Sequence, residues 1–145
     1  MKKLLTVIKV IVAVIVVIWA LIAVPMKIND FLLVGFTEDV INGLKMPENT
    51  VMVEHIAECG NSSGTGDHTD LYVVVLIESD LDYVTLAEHF KEDEHFWRMQ
   101  NVKEHGEHTI GMGCMGLKFE TDFEEPEKYF ILEYNKEAML DFRGW

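Results

Sequence analysis

Apolar and polar positions fall into two regimes along the chain. From Leu4 to Val24 the residues are apolar without a period, and Lys9 is the one charge among them. At 1.5 Å per residue these 21 residues form a helix of about 31 Å, one hydrocarbon thickness. Lys9 lies little more than a turn from the start, where its ammonium can snorkel to the headgroups. Trp19 falls nearer the far interface. Pro25 is expected to break the span. Ile28, Phe31, Leu32, Val40, Ile41 and Leu44 then recur at helical spacing, with Gly35 a weak point and Gly43 and Pro47 marking the end. This second helical stretch is expected either to pack on the domain that follows or to lie in the interfacial plane.

The period then changes to two. Between Thr50 and Cys59, Val51, Val53, Ala57 and Cys59 share one face with His55, while Glu54 and Glu58 share the other, which predicts a strand. Leu71 to Ile77 is an uninterrupted, valine-rich apolar run, as expected of a central strand buried on both faces. Ser79 to Asp82 resembles a capping box with Asp82 in place of Glu, and Tyr83, Leu86, Ala87 and Phe90 follow at i, i+3, i+4 and i+7, predicting a helix that lies on the sheet. Phe96–Glu104, Thr109–Glu120 and Lys128–Tyr134 are expected to be strands, the second despite Gly111, Gly113 and Gly116. The aromatic residues Phe96, Trp97, Tyr129, Phe130, Tyr134 and Phe142 are expected to fill the core. The order predicts an α+β fold: an N-terminal transmembrane helix followed by a small antiparallel sheet packed against a helix. Three parts follow: a signal-anchor at 1–25, a juxtamembrane helical segment at 26–47 and an acidic α+β domain at 48–145.

Charge sharpens this division. All 25 acidic residues lie at or after Asp30, and residues 26–145 hold 9 basic and 25 acidic groups, a formal net charge of −16. Such a domain repels phosphate backbones, which disfavours nucleic acid, and it repels anionic lipid. The same acidity also serves simply to keep a domain soluble. The apolar run is long for a cleavable signal, and Ala20 and Ala23 are spaced by three rather than two, so a retained anchor is expected. Lys2 and Lys3 before the span, against Lys27 just after it, predict a cytoplasmic N-terminus and a domain on the outer side of the cell membrane.

Three stretches look familiar as a set: Glu58-Cys59-Gly60 through Gly64-Thr65-Gly66, the strand ending Ile77-Glu78-Ser79-Asp80-Leu81, and Asp141-Phe142-Arg143-Gly144. They resemble a group of short, single-span membrane proteins of Gram-positive bacteria that has no assigned activity. The resemblance covers residues from about 48 to 145. It implies an envelope setting, and it implies no functional residues.

Candidate chemistry is sparse. Cys59 and Cys114 are expected either to form a disulfide, permitted outside the cytoplasmic membrane, or to be buried thiols. His89, His95, His105 and His108 fall within twenty residues among carboxylates, and imidazole and carboxylate both bind zinc. His105 and His108, three apart, are the candidate metal ligands, against the reading that all four are solvated on an acidic face. The loop at 60–70 contains Ser62, Ser63, His68 and Asp70 but no phosphate-loop ending, and it reads as a hairpin connection. Glu120, Asp122, Glu124, Glu125 and Glu127 surround Pro126 as a solvated turn. No catalytic residue and no cofactor site is assigned. The expected role is a membrane-anchored extracytoplasmic module, attached through residues 4–24, that binds an envelope protein or a cationic ligand. The alternative is a metal-dependent or hydrolytic enzyme using residues 88–108.

Overall fold

Helix α1 runs without interruption from Lys2 to Gly43 in this computed structural model, which describes residues 2–60, 69–105 and 118–139. It is long and apolar enough to cross a membrane. Pro25, expected to break it, lies inside it. Proline removes one N–H and crowds the carbonyl four residues back, that of Leu21. The helix continues on both sides of it, so one missing bond does not end the element.

Four strands follow: β1 (Thr50–Gly60), β2 (Asp70–Ser79), β3 (Phe96–Asn101) and β4 (Tyr129–Glu137). The sheet order is β1-β2-β4-β3, and every neighbouring pair is antiparallel. Helix α2 (Tyr83–Phe90) connects β2 to β3, and a short helix α3 (Val102–His105) follows β3. Residues 118–120 are irregular, and the rest of the expected strand at 109–120 lies outside the described residues. Pro126–Lys128 form one 3-10 turn, within the acidic stretch expected to turn there.

The continuous apolar run of β2 is explained by its place between β1 and β4 with both faces covered. Leu71, Val73, Val75 and Ile77 join Phe130, Leu132 and Tyr134 of β4 beneath Leu86 and Phe90 of α2 and Phe36 and Val40 of α1. Tyr72, Val74 and Leu76 point the other way, with Ile131, Val102 and Phe119. The central helix is therefore one of two helices on the first face, and the second face is covered as well. Glu54, expected on a solvent face, helps to hold that second cover. Its carboxylate accepts hydrogen bonds from the backbone N–H of Glu120 and Thr121 (3.1 and 3.2 Å) and from Thr121 Oγ1 (2.9 Å).

The cap of α2 is Asp82, whose carboxylate accepts from Thr85 N and Thr85 Oγ1, both at 3.0 Å. These bonds lower its pKa below the ordinary carboxylate value. Ser79 does not cap. Its Oγ lies 2.7 Å from Thr50 Oγ1 and accepts from Leu81 N, closing the end of the β1–β2 ladder.

The expected stripe on residues 28–44 divides in two. Val40 is buried on the sheet with Ile41 and Leu44 beside it, whereas Ile28, Phe31 and Leu32 are exposed. The residues that face the domain at the start of this half are Asn29, Leu33 and Phe36. Asn29 is fully buried. Its Nδ2 donates to Met139 O at 2.6 Å, and its Oδ1 accepts from Met139 N at 3.1 Å, so one amide satisfies both backbone groups at the end of β4. Ala138 N in turn donates to Thr69 O at 2.9 Å, which ties this joint to the start of β2.

Asn29→Ala removes both bonds and strands two backbone groups, so it is expected to lower stability by about 1–3 kcal/mol. Denaturant unfolding of the sheet domain in detergent micelles measures this. A midpoint equal to that of the parent chain would show that the clamp contributes nothing.

Candidate functional site

Two constellations of polar side chains stand out, one on each face of the sheet. The first is a groove of about 480 Å³ between α1, the turn joining α2 to β3, and β4. Helix α1 supplies Phe36, Asp39, Val40, Gly43 and Leu44; the turn supplies Asp93, Glu94 and His95; β4 supplies Tyr134 and Lys136. Its floor is aromatic and its rim is anionic. Phe36 is buried, with the His95 ring edge-on at 5.4 Å and Lys136 Nζ 5.9 Å from its ring centre. The volume falls within the range of small-ligand sites, and carboxylates above an aromatic face suit a cation.

The turn is held in shape by its backbone. Asp93 N donates to Phe90 O at 2.9 Å, Phe96 N to Asp93 O at 3.2 Å, and Asn135 N to His95 O at 3.2 Å. His95 has φ 64°, a left-handed conformation in which a non-glycine residue is strained. That conformation lets the chain reverse into β3 while the imidazole turns toward Phe36. Tyr134 Oη donates to Asp93 Oδ2 at 3.1 Å and fixes that carboxylate. Burial first, and then the neighbouring carboxylate, pushes the Tyr134 phenol far above its ordinary value, so it remains a donor.

The histidine segment does not act as one unit. His95 lines the groove, while His89 is exposed, with Nε2 2.5 Å from Lys45 O and its ring edge-on to Phe90. The side chain of His105 and the whole of His108 lie outside the described residues, as do Cys114 and residues 61–68 of the glycine-rich loop. Among the described residues no group of three or more His, Cys, Asp or Glu side chains is placed to hold a metal ion. Cys59 is buried at the end of β1. Trp97, expected in the core, is 39% exposed, with the Arg98 guanidinium carbon 4.9 Å from its ring centre.

The second constellation surrounds Glu133, which is fully buried in β4. Tyr72 of β2 donates to Oε2, and Arg98 Nε (2.7 Å) and Gln100 Nε2 of β3 both donate to Oε1. An irregularity of register between Phe96 and Arg98 sets Arg98 opposite Glu133, which lets the guanidinium reach across the strands. Burial pushes the carboxyl from its ordinary 4.5 up to about 8. Sequence reasoning passed over Glu133. The available signal was its place as the one charge in the run Tyr129-Phe130-Ile131-Leu132-Glu133-Tyr134. Asp39 and Lys136 of the groove had no comparable signal.

The folded chain thus holds a proton on Glu133 more tightly than the unfolded chain does. Its stabilising effect is complete below pH 4.5 and is lost as pH rises toward about 8. The parent chain is expected to lose stability across that interval, by at most about 1.4 kcal/mol per pH unit. Glu133→Gln, which cannot ionise, flattens the profile. Urea midpoints measured at intervals of pH test this, and parallel profiles for the two chains would refute it.

Comparisons with known proteins give no match: no family model fits the chain, and neither a curated protein nor a solved structure is similar to it.

Proposed function

We propose that the chain is a single-pass module of the cell membrane, with its N-terminus in the cytoplasm and its acidic domain outside, that binds a cationic group in the groove between α1 and β4. The cationic group belongs to an envelope protein or to a small ligand. The observation that carries this reading is the place of the groove: its wall is the second half of the helix whose first half holds the long apolar run. A ligand held there is held at a fixed distance from the apolar segment.

The chemistry supports a cation. Asp39, Asp93 and Glu94 outnumber Lys136 at the rim. The domain as a whole carries −16 over residues 26–145, which draws cations toward every part of its surface and speeds their arrival. The shape of the groove supplies the selectivity that this diffuse field lacks. Lys2 and Lys3 support the orientation. The resemblance to single-span proteins of Gram-positive bacteria supports the envelope setting.

Two measurements test the reading. The chain should remain with membranes after a wash at high pH; release, with a mature start near residue 25, would overturn the anchor. Capture from detergent-solubilised membranes should enrich a partner over a charge-matched acidic protein. The Asp39→Asn, Asp93→Asn double variant should reduce that enrichment at least about tenfold, the equivalent of roughly 1.4 kcal/mol. Equal capture by the parent, the variant and the control would show that diffuse charge, not the groove, does the binding.

A further inference from the structure

We propose that Ile28, Phe31, Leu32 and Val34 of α1, together with Met139, form an apolar collar seated in the headgroup zone of a zwitterionic bilayer, so that the base of the sheet domain rests in the membrane surface. This inference rests on the anchor reading above.

The collar begins where α1 starts to meet the sheet. Phe31 is 78% exposed and Val34 59%, although Asn29 and Leu33 on the same turns face the domain. At 3.6 residues per turn, Ile28, Phe31, Leu32 and Val34 spread over about 160° of the circumference. Met139 is 47% exposed and is fixed against Asn29, on the remaining side of the helix. Apolar side chains therefore cover a broad arc of α1 at this level, with Lys27 inside it and Met139 beside the domain-facing side.

That distribution selects the occupant. A second helix covers one narrow seam, and a seam would leave Val34 and Met139 in water. A second copy would also bring two domains of −16 together. Lipid covers the whole of so wide an arc. The collar is moreover continuous with the span: Trp19, Val24, Ile28 and Phe31 line one apolar groove along α1. From Leu4 to Val34 the helix measures about 45 Å, against 40–45 Å for a bilayer including its headgroups. Lys27 and Asp30 lie within the collar but pair with each other at 3.4 Å, and the ammonium of Lys27 suits a phosphate-bearing layer. The acidity of the domain opposes an anionic surface, which is why the lipid is zwitterionic.

Seating the collar places the groove close above the lipid. Phe36 is only about 3 Å further along the axis than Val34. A cationic ligand would then enter from the membrane surface rather than from bulk solution.

Depth-dependent quenching tests the inference with the full chain in phosphatidylcholine vesicles. Tryptophan is moved to position 31 by Phe31→Trp in a chain carrying Trp19→Phe, Trp97→Phe and Trp145→Phe. A parallel chain retains Trp19 alone. The Leu32→Trp counterpart covers the case in which position 31 fails to fold, judged by circular dichroism. Seating predicts that the tryptophan at 31 or 32 loses most of its emission to lipid brominated at the upper acyl carbons and is shielded from aqueous iodide. Quenching by iodide but not by bromine, with Trp19 quenched by bromine, would overturn the collar and leave the anchor standing. Shielding from both quenchers, with crosslinking to a second chain, would overturn it in favour of a helix pair. Trp19, fifteen residues from both Leu4 and Val34 and so near the midplane, is read with lipid brominated near the acyl ends, and its indifference to that lipid would overturn both the anchor and the collar.

Discussion

One helix has to satisfy two environments in succession, and the rest of the molecule is arranged around that demand. From Val10 to Val24 α1 is apolar on every side, and along its second half it is apolar toward the sheet through Leu33, Phe36 and Val40. The change falls at Asn29. A buried side-chain amide is costly unless its donor and acceptor are both used. Here they meet the N–H and C=O of Met139, two groups that would otherwise end β4 unpaired. The clamp makes the end of the sheet and the axis of the helix one rigid piece, so the orientation of the domain follows from the orientation of α1.

The sheet solves its own problem by placing its most apolar strand second. β2 is flanked by β1 and β4, so its backbone is paired on both edges, and its side chains are buried on both faces. Each valine or leucine buried there is worth about 1.5–3 kcal/mol. Glu133 is the exception within this apolar interior. Its burial is tolerated because Tyr72, Arg98 and Gln100 turn their donors toward it, and because the low polarity of the site favours the proton over the charge. A carboxyl held in this way links β2, β3 and β4 through side chains as well as through the ladder.

The groove is a by-product of the same geometry put to use. Where α1 rises past β4, the turn after α2 closes the third side, and His95 adopts a left-handed backbone to let it do so. Phe36 belongs both to the core and to the groove floor, so the floor is part of the packed interior. Tyr134 plays the same double part, with its ring in the core and its hydroxyl on Asp93. That hydrogen bond fixes the Asp93 carboxylate against the core.

The sequence by itself determined the apolar span, strands over 50–59 and 71–77, the helix carrying Tyr83 to Phe90, the last strand and the α+β class, because each depends on a local period or an uninterrupted run of one polarity. It also settled that the acidity lies after the span. It misjudged Pro25, since a proline reads as a break whenever only its own missing bond is considered. It assigned Ile28, Phe31 and Leu32 to the same stripe as Val40, because spacing cannot tell which of two apolar sides faces the protein. It also placed Ser79 as the cap, where Asp82 does that work. Only the tertiary structure decided that Asn29 is buried, that Glu133 has three donors, and that Asp39, Asp93 and Lys136 surround one groove. These depend on contacts between residues 33 to 110 positions apart, whose partners are chosen by strand order and helix direction. No local pattern records those choices, because the same residues in the same order would be equally well formed as elements if the elements packed otherwise.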